Sequence, residues 1–329
     1  MNYQADIGAS VEDFSELDER PPSSISPTGR AVRRLLRKKI AIACLLVIAL
    51  FYLCGVFAPL IAPYTYSDQN LDASFQGPSR EHLFGTDRLG RDTFSRVVFA
   101  ARTTVVVTLA TIAAGGIVLP LTLGLLAGYR GGWTDSLIMR VGEILASFPG
   151  LPMLILINAT MRPRFESWVA NLEEKVGWDF LTTSGFTDYF LIFFVLSLFG
   201  WVGGARLIRT QVLTFRRAEF VMAAEACGAA TPRILFRHLL PGVMPIIIVG
   251  VSASLGAIAL AEVGLTFLGV GVQPPNPSFG ALISEAVPRS VFENHPQLLL
   301  IPAFIVAALV FAFNLLGDSL NDVFTPRAR

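Results

Sequence analysis

Lysine is scarce in this 329-residue chain, occurring only as Lys38, Lys39 and Lys175. A phosphate-cradling P-loop needs a lysine after its glycines to reach the β- and γ-phosphates, and none of the three follows a glycine. The chain is therefore not expected to hydrolyse nucleotides itself. Histidine and cysteine are equally rare, at three each. His82, His238 and His295 stand at no spacing that suits a nucleophile or a metal, and Cys44, Cys54 and Cys227 include no CxxC pair, so they read as small buried residues. Charge is thin as well: 16% of residues are Asp, Glu, Lys or Arg, against about 25% in a soluble domain. These shortages leave no constellation for an enzyme, no metal site, no basic surface for nucleic acid and too little charge for a water-facing surface.

What the sequence has is apolar length. Hydrophobic residues make up 53% of it, with a mean hydropathy of +0.58. Six segments qualify as membrane spans, at about 40–62, 104–129, 137–160, 188–207, 242–268 and 297–317. At about 1.5 Å per residue each can cross a hydrocarbon core of ~30 Å. Main-chain groups in lipid must pair internally, so each segment is read as a helix and the fold class as all-α and polytopic.

Residues 1–39 begin acidic (Asp6, Glu12, Asp13) and end basic (Arg37, Lys38, Lys39), and read as a disordered tail. The apolar run that follows exceeds the about 7–15 residues of a signal-peptide core, so no cleavable signal is expected. If that tail is cytoplasmic, 17 of the 26 Lys and Arg lie on the cytoplasmic side, which places both termini there. The segments 63–103, 161–187 and 269–296 then lie outside, and 208–241 and 321–329 inside. In 161–187, Phe165, Trp168, Val169, Leu172 and Val176 recur at helical spacing, as in an interfacial or lid helix.

The inside loop carries the most unusual stretch, "EFVMAAEACGAATPRILFRHLLPG", Glu219 to Gly242. Phe220, Ala223, Ala224 and Cys227 share one helical face, and its small side chains permit close approach to another surface. Gly228 suits a left-handed helix stop. Thr231 is a reasonable N-cap, Pro232 fits the first helical position, and Pro241 ends the second short helix. Two short helices at a sharp corner can seat in a partner's groove or simply lie on the membrane face. Arg206 and Arg209, just upstream, read as snorkelling anchors, and Asp318 and Asp322 as local caps or pairs.

The loop resembles the ATPase-coupling segment of binding-protein-dependent ABC importer permeases, which reads Glu-Ala-Ala, three residues, Gly, nine residues, Ile, any residue, Leu-Pro. Ala223, Ala224, Gly228, Leu240 and Pro241 match it, while Met222 replaces the glutamate, with Glu225 one turn away, and His238 stands at the isoleucine. "HLFGTDRLGRDTFSR", "GWTDSLIMRVGEILASFPGL", "GWVGGARLIRTQVL", "LTFLGVGVQPPNPSFGALI" and "NLLGDSLNDVFTPR" extend the resemblance from about residue 30 onward, to the C-type permease subunit of dipeptide and oligopeptide importers.

The resemblance implies a six-span type I importer permease fold in the plasma (inner) membrane, paired with a related B-type permease. It also implies two ATPase domains on other chains, which bind the ATP and Mg, an extracytoplasmic peptide-binding protein, and peptide as cargo. No cofactor is expected in this chain. Residues Glu219, Phe220, Met222, Ala223, Ala224, Glu225, Gly228, Thr231, Pro232, Leu240 and Pro241 would form the coupling contact. In "GTDRLGRD", Gly85 and Gly90 are expected to make turns and Asp87, Arg88, Arg91 and Asp92 to pair across the bend. Glu262 is the most unusual residue within a span, about 31 Å from Pro241 along a helix and so near the outer end rather than the midplane. It either makes a structural hydrogen bond or faces the path, where it could hold a peptide's amino terminus. Another small solute, such as a metal chelate, fits the same architecture. An ion-coupled carrier would call for mid-span charge and broken-helix pairs in repeated halves, and the spans are nearly free of mid-depth charge.

Overall fold

The computed structural model describes Gly29, residues 33–177, Leu181 and residues 185–324. Most of the expected N-terminal tail and the last five residues lie outside the described residues. The described chain is helical with one isolated β-bridge, Thr86 to Asp92. Helix α1 is Lys39–Val56 and α2 the short Ala58–Ile61. Helix α3 runs through Thr93–Arg130, with a π-helical stretch at Ile112–Val118. Next come α4, Gly132–Ser147, α5, Gly150–Val176, and α6, Phe186–Phe215. The short α7, Glu219–Ala226, precedes α8, Thr231–Phe267, which has its own π stretch at Ile234–Leu239. Helices α9, Phe279–Ala286, α10, Arg289–Asn294, and α11, Gln297–Phe324, complete the bundle.

Five of these, α1, α3, α6, α8 and α11, are long and apolar enough to cross a membrane. The third expected segment, 137–160, is divided between α4 and α5. Proline disfavours helical geometry in the residue before it, and Phe148, preceding Pro149, is extended at φ −81° and ψ 140°. Helix α5 instead continues without a break through the segment expected outside, as far as Val176. There Val169 is buried, Trp168 is exposed, and Phe165 stacks on Phe190 of α6 at 4.7 Å between centroids. Helix α3 likewise starts at Thr93, eleven residues before the expected span, and is about 57 Å long at 1.5 Å per residue.

Where lipid supplies no hydrophobic drive between helices, close packing through small residues holds them together. Helices α3 and α6 meet this way: a Cβ at Gly124 would lie 2.8 Å from the Ala205 carbonyl oxygen, and one at Gly128 would lie 2.7 Å from Val212 Cβ. Helix α1 approaches α3 at Gly55, where a Cβ would be 2.9 Å from the Ala101 oxygen. A second seam joins α1, α3, α8, α9 and α11 through Phe51, Ala101, Val263, Phe279, Leu309 and Phe313. Lys38 pairs with Asp322 at 2.9 Å, tying the two ends of the described chain together.

Gly128→Leu should cost at least about 1–3 kcal/mol, the range for overpacking a filled contact. Gly264→Ala is the control, since a Cβ there meets nothing within 4 Å. Thermal unfolding in detergent is expected to show a lowered midpoint for the first variant and little shift for the second.

Candidate functional site

The loop between α6 and α8 hangs from the bundle by apolar contacts. Helix α7 turns one side chain fully inward, Val221 at 0% exposure. Val221 joins Ile234, Leu235 and Leu239 of α8, Leu125 of α3, Ile208 and Val212 of α6, and Val243. Burying a valine completely is worth roughly 1.5–3 kcal/mol, so the cluster fixes the loop to three spans at once. Polar contacts add to it. The Tyr129 hydroxyl, near the end of α3, donates to Glu225 at 2.9 Å, and the Arg216 guanidinium lies 6.0 Å from the Tyr129 ring centroid.

The opposite side of α7 is open. Phe220 is 48% exposed and Met222 51%, and Glu219, Ala223, Glu225 and Cys227 are also exposed, with Ala224 half-buried. An apolar surface of small residues with a phenylalanine at its start is thus presented on a fixed support. Gly228 ends the helix at φ +75°, and the main-chain bonds Gly228 N–H to Glu225 oxygen (2.9 Å) and Ala229 N–H to Ala224 oxygen (3.0 Å) close the turn. A Cβ at Gly228 would meet nothing within 4 Å, so the requirement for glycine there is conformational and not steric.

Two expectations for this region need correction. Ala230 is the N-cap of the next helix, and Thr231 and Pro232 both lie inside its first turn, with no side-chain cap. Pro241 does not end a short helix: 231–241 runs on into α8 as one rod, because the π stretch Ile234–Leu239 precedes it. A π register shifts the hydrogen-bond partner by one residue, which accommodates a proline that has no N–H to donate. Leu240, just before Pro241, is half-buried against the anchoring cluster. Arg209 also has a partner that sequence reasoning missed: it grips Asp135 of α4 with Nη2, at 2.5 Å, and with Nε.

At the far end of α3 from the loop, Gly85 (φ +77°) and Gly90 (φ +68°) form the expected turns. A Cβ at Gly90 would fall 1.7 Å from the Asn70 oxygen, so only glycine fits there. Asp87 accepts from Arg91 Nε at 2.7 Å and from Arg96 at 2.5 Å. Asp92 accepts from the Ser95 N–H at 2.8 Å, capping α3, and contacts His82 Nδ1 at 2.9 Å. Arg88, expected to pair, is exposed and makes no ion pair among the described residues. The network also has a member that sequence reasoning missed: Glu285 of α9 accepts from Arg96 at 2.7 and 3.0 Å and from Arg91 at 3.1 Å. No local spacing points to Glu285, which stands 189 positions from Arg96.

Glu262 is 0% exposed. The Thr104 hydroxyl of α3 donates to one of its oxygens at 3.0 Å, and Thr266, one turn along α8, donates to the other at 3.4 Å. The structure does not bring Glu262 together with the loop residues.

The result is a bundle with five helices long and apolar enough to cross a membrane and a bent, slim-faced helix held at one end. The chain belongs to the family of binding-protein-dependent transport system inner membrane components, whose model matches residues 121–329. Residues 26–78 match the N-terminal transmembrane domain of oligopeptide transport permease C. The chain is 34% identical over 307 residues to the dipeptide transport system permease protein DppC of Alkalihalophilus pseudofirmus, covering 93% of this chain and 92% of that one. To the oligopeptide transport system permease protein OppC of Bacillus subtilis it is 33% identical over 306 residues, 93% and 92% of the two chains. To the glutathione transport system permease protein GsiD of Pectobacterium atrosepticum it is 33% identical over 311 residues, 94% of each.

Gly228→Pro cannot hold φ +75°, and Ala224→Trp puts a large ring on the open face. Both variants should insert in the membrane at wild-type levels and lose transport by at least about tenfold, a loss of about 1.4 kcal/mol in coupling. Full transport by both would show that the loop carries no force.

Proposed function

We propose that this chain is the C-type permease subunit of an ATP-driven importer of dipeptides and oligopeptides. It pairs with a related B-type permease, and cargo delivered by an extracytoplasmic peptide-binding protein passes between the two. Two ATPase domains on other chains hold ATP and Mg on the cytoplasmic side, where both termini of this chain lie. The subunit carries force and walls half the path, and it does no chemistry of its own. The reading is supported by the names of its relatives and by the loop pattern.

The single observation behind the mechanism is the anchoring of α7. Its inner face is locked by Val221 to α3, α6 and α8, and its outer face is free. When the ATPases close on nucleotide, a push on Phe220, Ala223 and Ala224 is carried into three spans as a rigid-body movement. The bistable element is the packing of the two permeases against each other. Arg209 and Asp135 extend the linkage to α4. Glu262 acts in the path in this reading only if α3 and α8 part in another state of the cycle, because Thr104 and Thr266 enclose it here.

The test is reconstitution of the complex in proteoliposomes with a labelled tripeptide outside and ATP at the ATPase face. Uptake should require ATP and the binding protein and should survive ionophores that collapse proton and sodium gradients. Uptake that follows the ion gradient and ignores ATP would overturn the reading. Run in parallel, Glu262→Gln should lower uptake several-fold or change peptide preference; unchanged values in both would remove Glu262 from the path.

A further inference from the structure

Five of the seven residues from Arg33 to Lys39 are cations: Arg33, Arg34, Arg37, Lys38 and Lys39. They stand at the very start of α1, Lys39–Val56, which is long and apolar enough to cross a membrane. A basic cluster at that place lies at the level of the lipid headgroups. Arg33, Arg34, Arg37 and Lys39 are exposed and make no ion pair among the described residues. Lys38 alone is offset, by Asp322 of α11 at 2.9 Å.

The backbone gathers these charges at the membrane boundary. The Arg37 N–H donates to the Arg34 oxygen at 3.3 Å and the Lys38 N–H to the Leu35 oxygen at 3.0 Å, closing a turn. Lys38 is then extended, at φ −88° and ψ 112°, so residues 33–37 leave the line of α1 instead of prolonging it. Two large apolar side chains stand among the cations, Leu36 at 54% exposure and Ile40 at 61%. Helix α1 has no acidic residue in its first turn and no side-chain cap, so the positive end of its dipole adds to the same field.

The chemistry separates the candidate occupants. A water-borne anion would satisfy the cations and leave Leu36 and Ile40 in water. A phospholipid carries a charged phosphodiester on an apolar body, and the bilayer that surrounds α1 brings it to the spot. We propose that residues 33–39 bind the headgroups of anionic phospholipids. The arginines pair with phosphate oxygens through their planar, forked donors, and Leu36 and Ile40 rest against the glycerol and upper acyl chain. The bound lipid holds the start of α1 at the membrane surface, beside the Lys38–Asp322 contact with α11. None of this depends on what the protein transports.

The test uses the full chain in vesicles of equal phosphatidylglycerol and phosphatidylcholine, with p-benzoylphenylalanine replacing Leu36. Illumination should give phosphatidylglycerol adducts in at least about fivefold excess over phosphatidylcholine, the effect of one basic side chain near a membrane. The same probe at Leu60, 82% exposed in α2, should label the two lipids equally. Replacing Arg33, Arg34 and Arg37 together with glutamine should bring the ratio at Leu36 close to one, and replacing them with lysine should keep the excess. Should the glutamine variant fail to insert, salt decides: raising it to about 0.5 M screens exposed charges and should shrink the excess on the unaltered arginines. Inorganic phosphate, added as a competitor, should leave it unchanged. Equal labelling at Leu36, the same excess at Leu60, or an excess indifferent to both glutamine and salt would overturn the inference. So would adducts to a protein chain in place of lipid, or displacement by inorganic phosphate, which would make this a site for a dissolved anion.

Discussion

Burial of Val221, Ile234, Leu235 and Leu239 among Leu125, Ile208, Val212 and Val243 makes the loop part of the membrane bundle instead of an appendage. These side chains come from four helices, α3, α6, α7 and α8, and the cluster is too densely shared for α7 to shift alone. A helix of eight residues would be marginal in isolation. Here tertiary packing holds it, so it can stand clear of the bundle with its small residues outward and still be stiff.

The same economy of bulk appears inside the bundle, with two different purposes. At Gly124 and Gly128 the missing side chains bring α3 and α6 into backbone contact. At Gly200, Gly203 and Gly250 they leave open space along a neutral cleft. The π stretches before Pro120 and Pro241 allow the two long rods to carry a proline without breaking. Both rods also end at the anchoring cluster, and the irregular turn of α8, Ile234–Leu239, is part of it. At the other end of α3, the ion network through Asp87, Arg91, Arg96 and Glu285 pins that rod to α9.

Much of the architecture was legible because its causes are local. Apolar length marks a span, a glycine at φ +75° marks a helix stop, and small residues at helical spacing mark a slim face. Misreadings arose where two local rules competed or where the cause was tertiary. "LLPG" reads as a stop because proline cannot donate, and the π register that absorbs Pro241 has no propensity of its own to betray it. Phe148–Pro149 breaks the third apolar run, though hydropathy alone carries on through it. Thr231 looks like a cap, yet Ala230 holds that position because the turn at Gly228 sets where the helix begins. Glu285, the Arg209–Asp135 grip and the Lys38–Asp322 pair join residues far apart in the chain, which no spacing rule reaches. Val221 as the inward anchor of α7 follows only from the neighbours that bury it.

The central claim is that the open face of α7 is gripped by a nucleotide-hydrolysing chain. It is tested most directly by Ala223→Cys in a background with Cys227 replaced by serine, crosslinked in native membranes with a short thiol reagent, the adducts then being identified by mass spectrometry. The account predicts an adduct to a separate chain carrying a GxxxxGK[ST] loop, with a yield that changes when ATP is added. An Ala223→Cys variant that transports normally yet crosslinks to no such chain, with or without nucleotide, would contradict it.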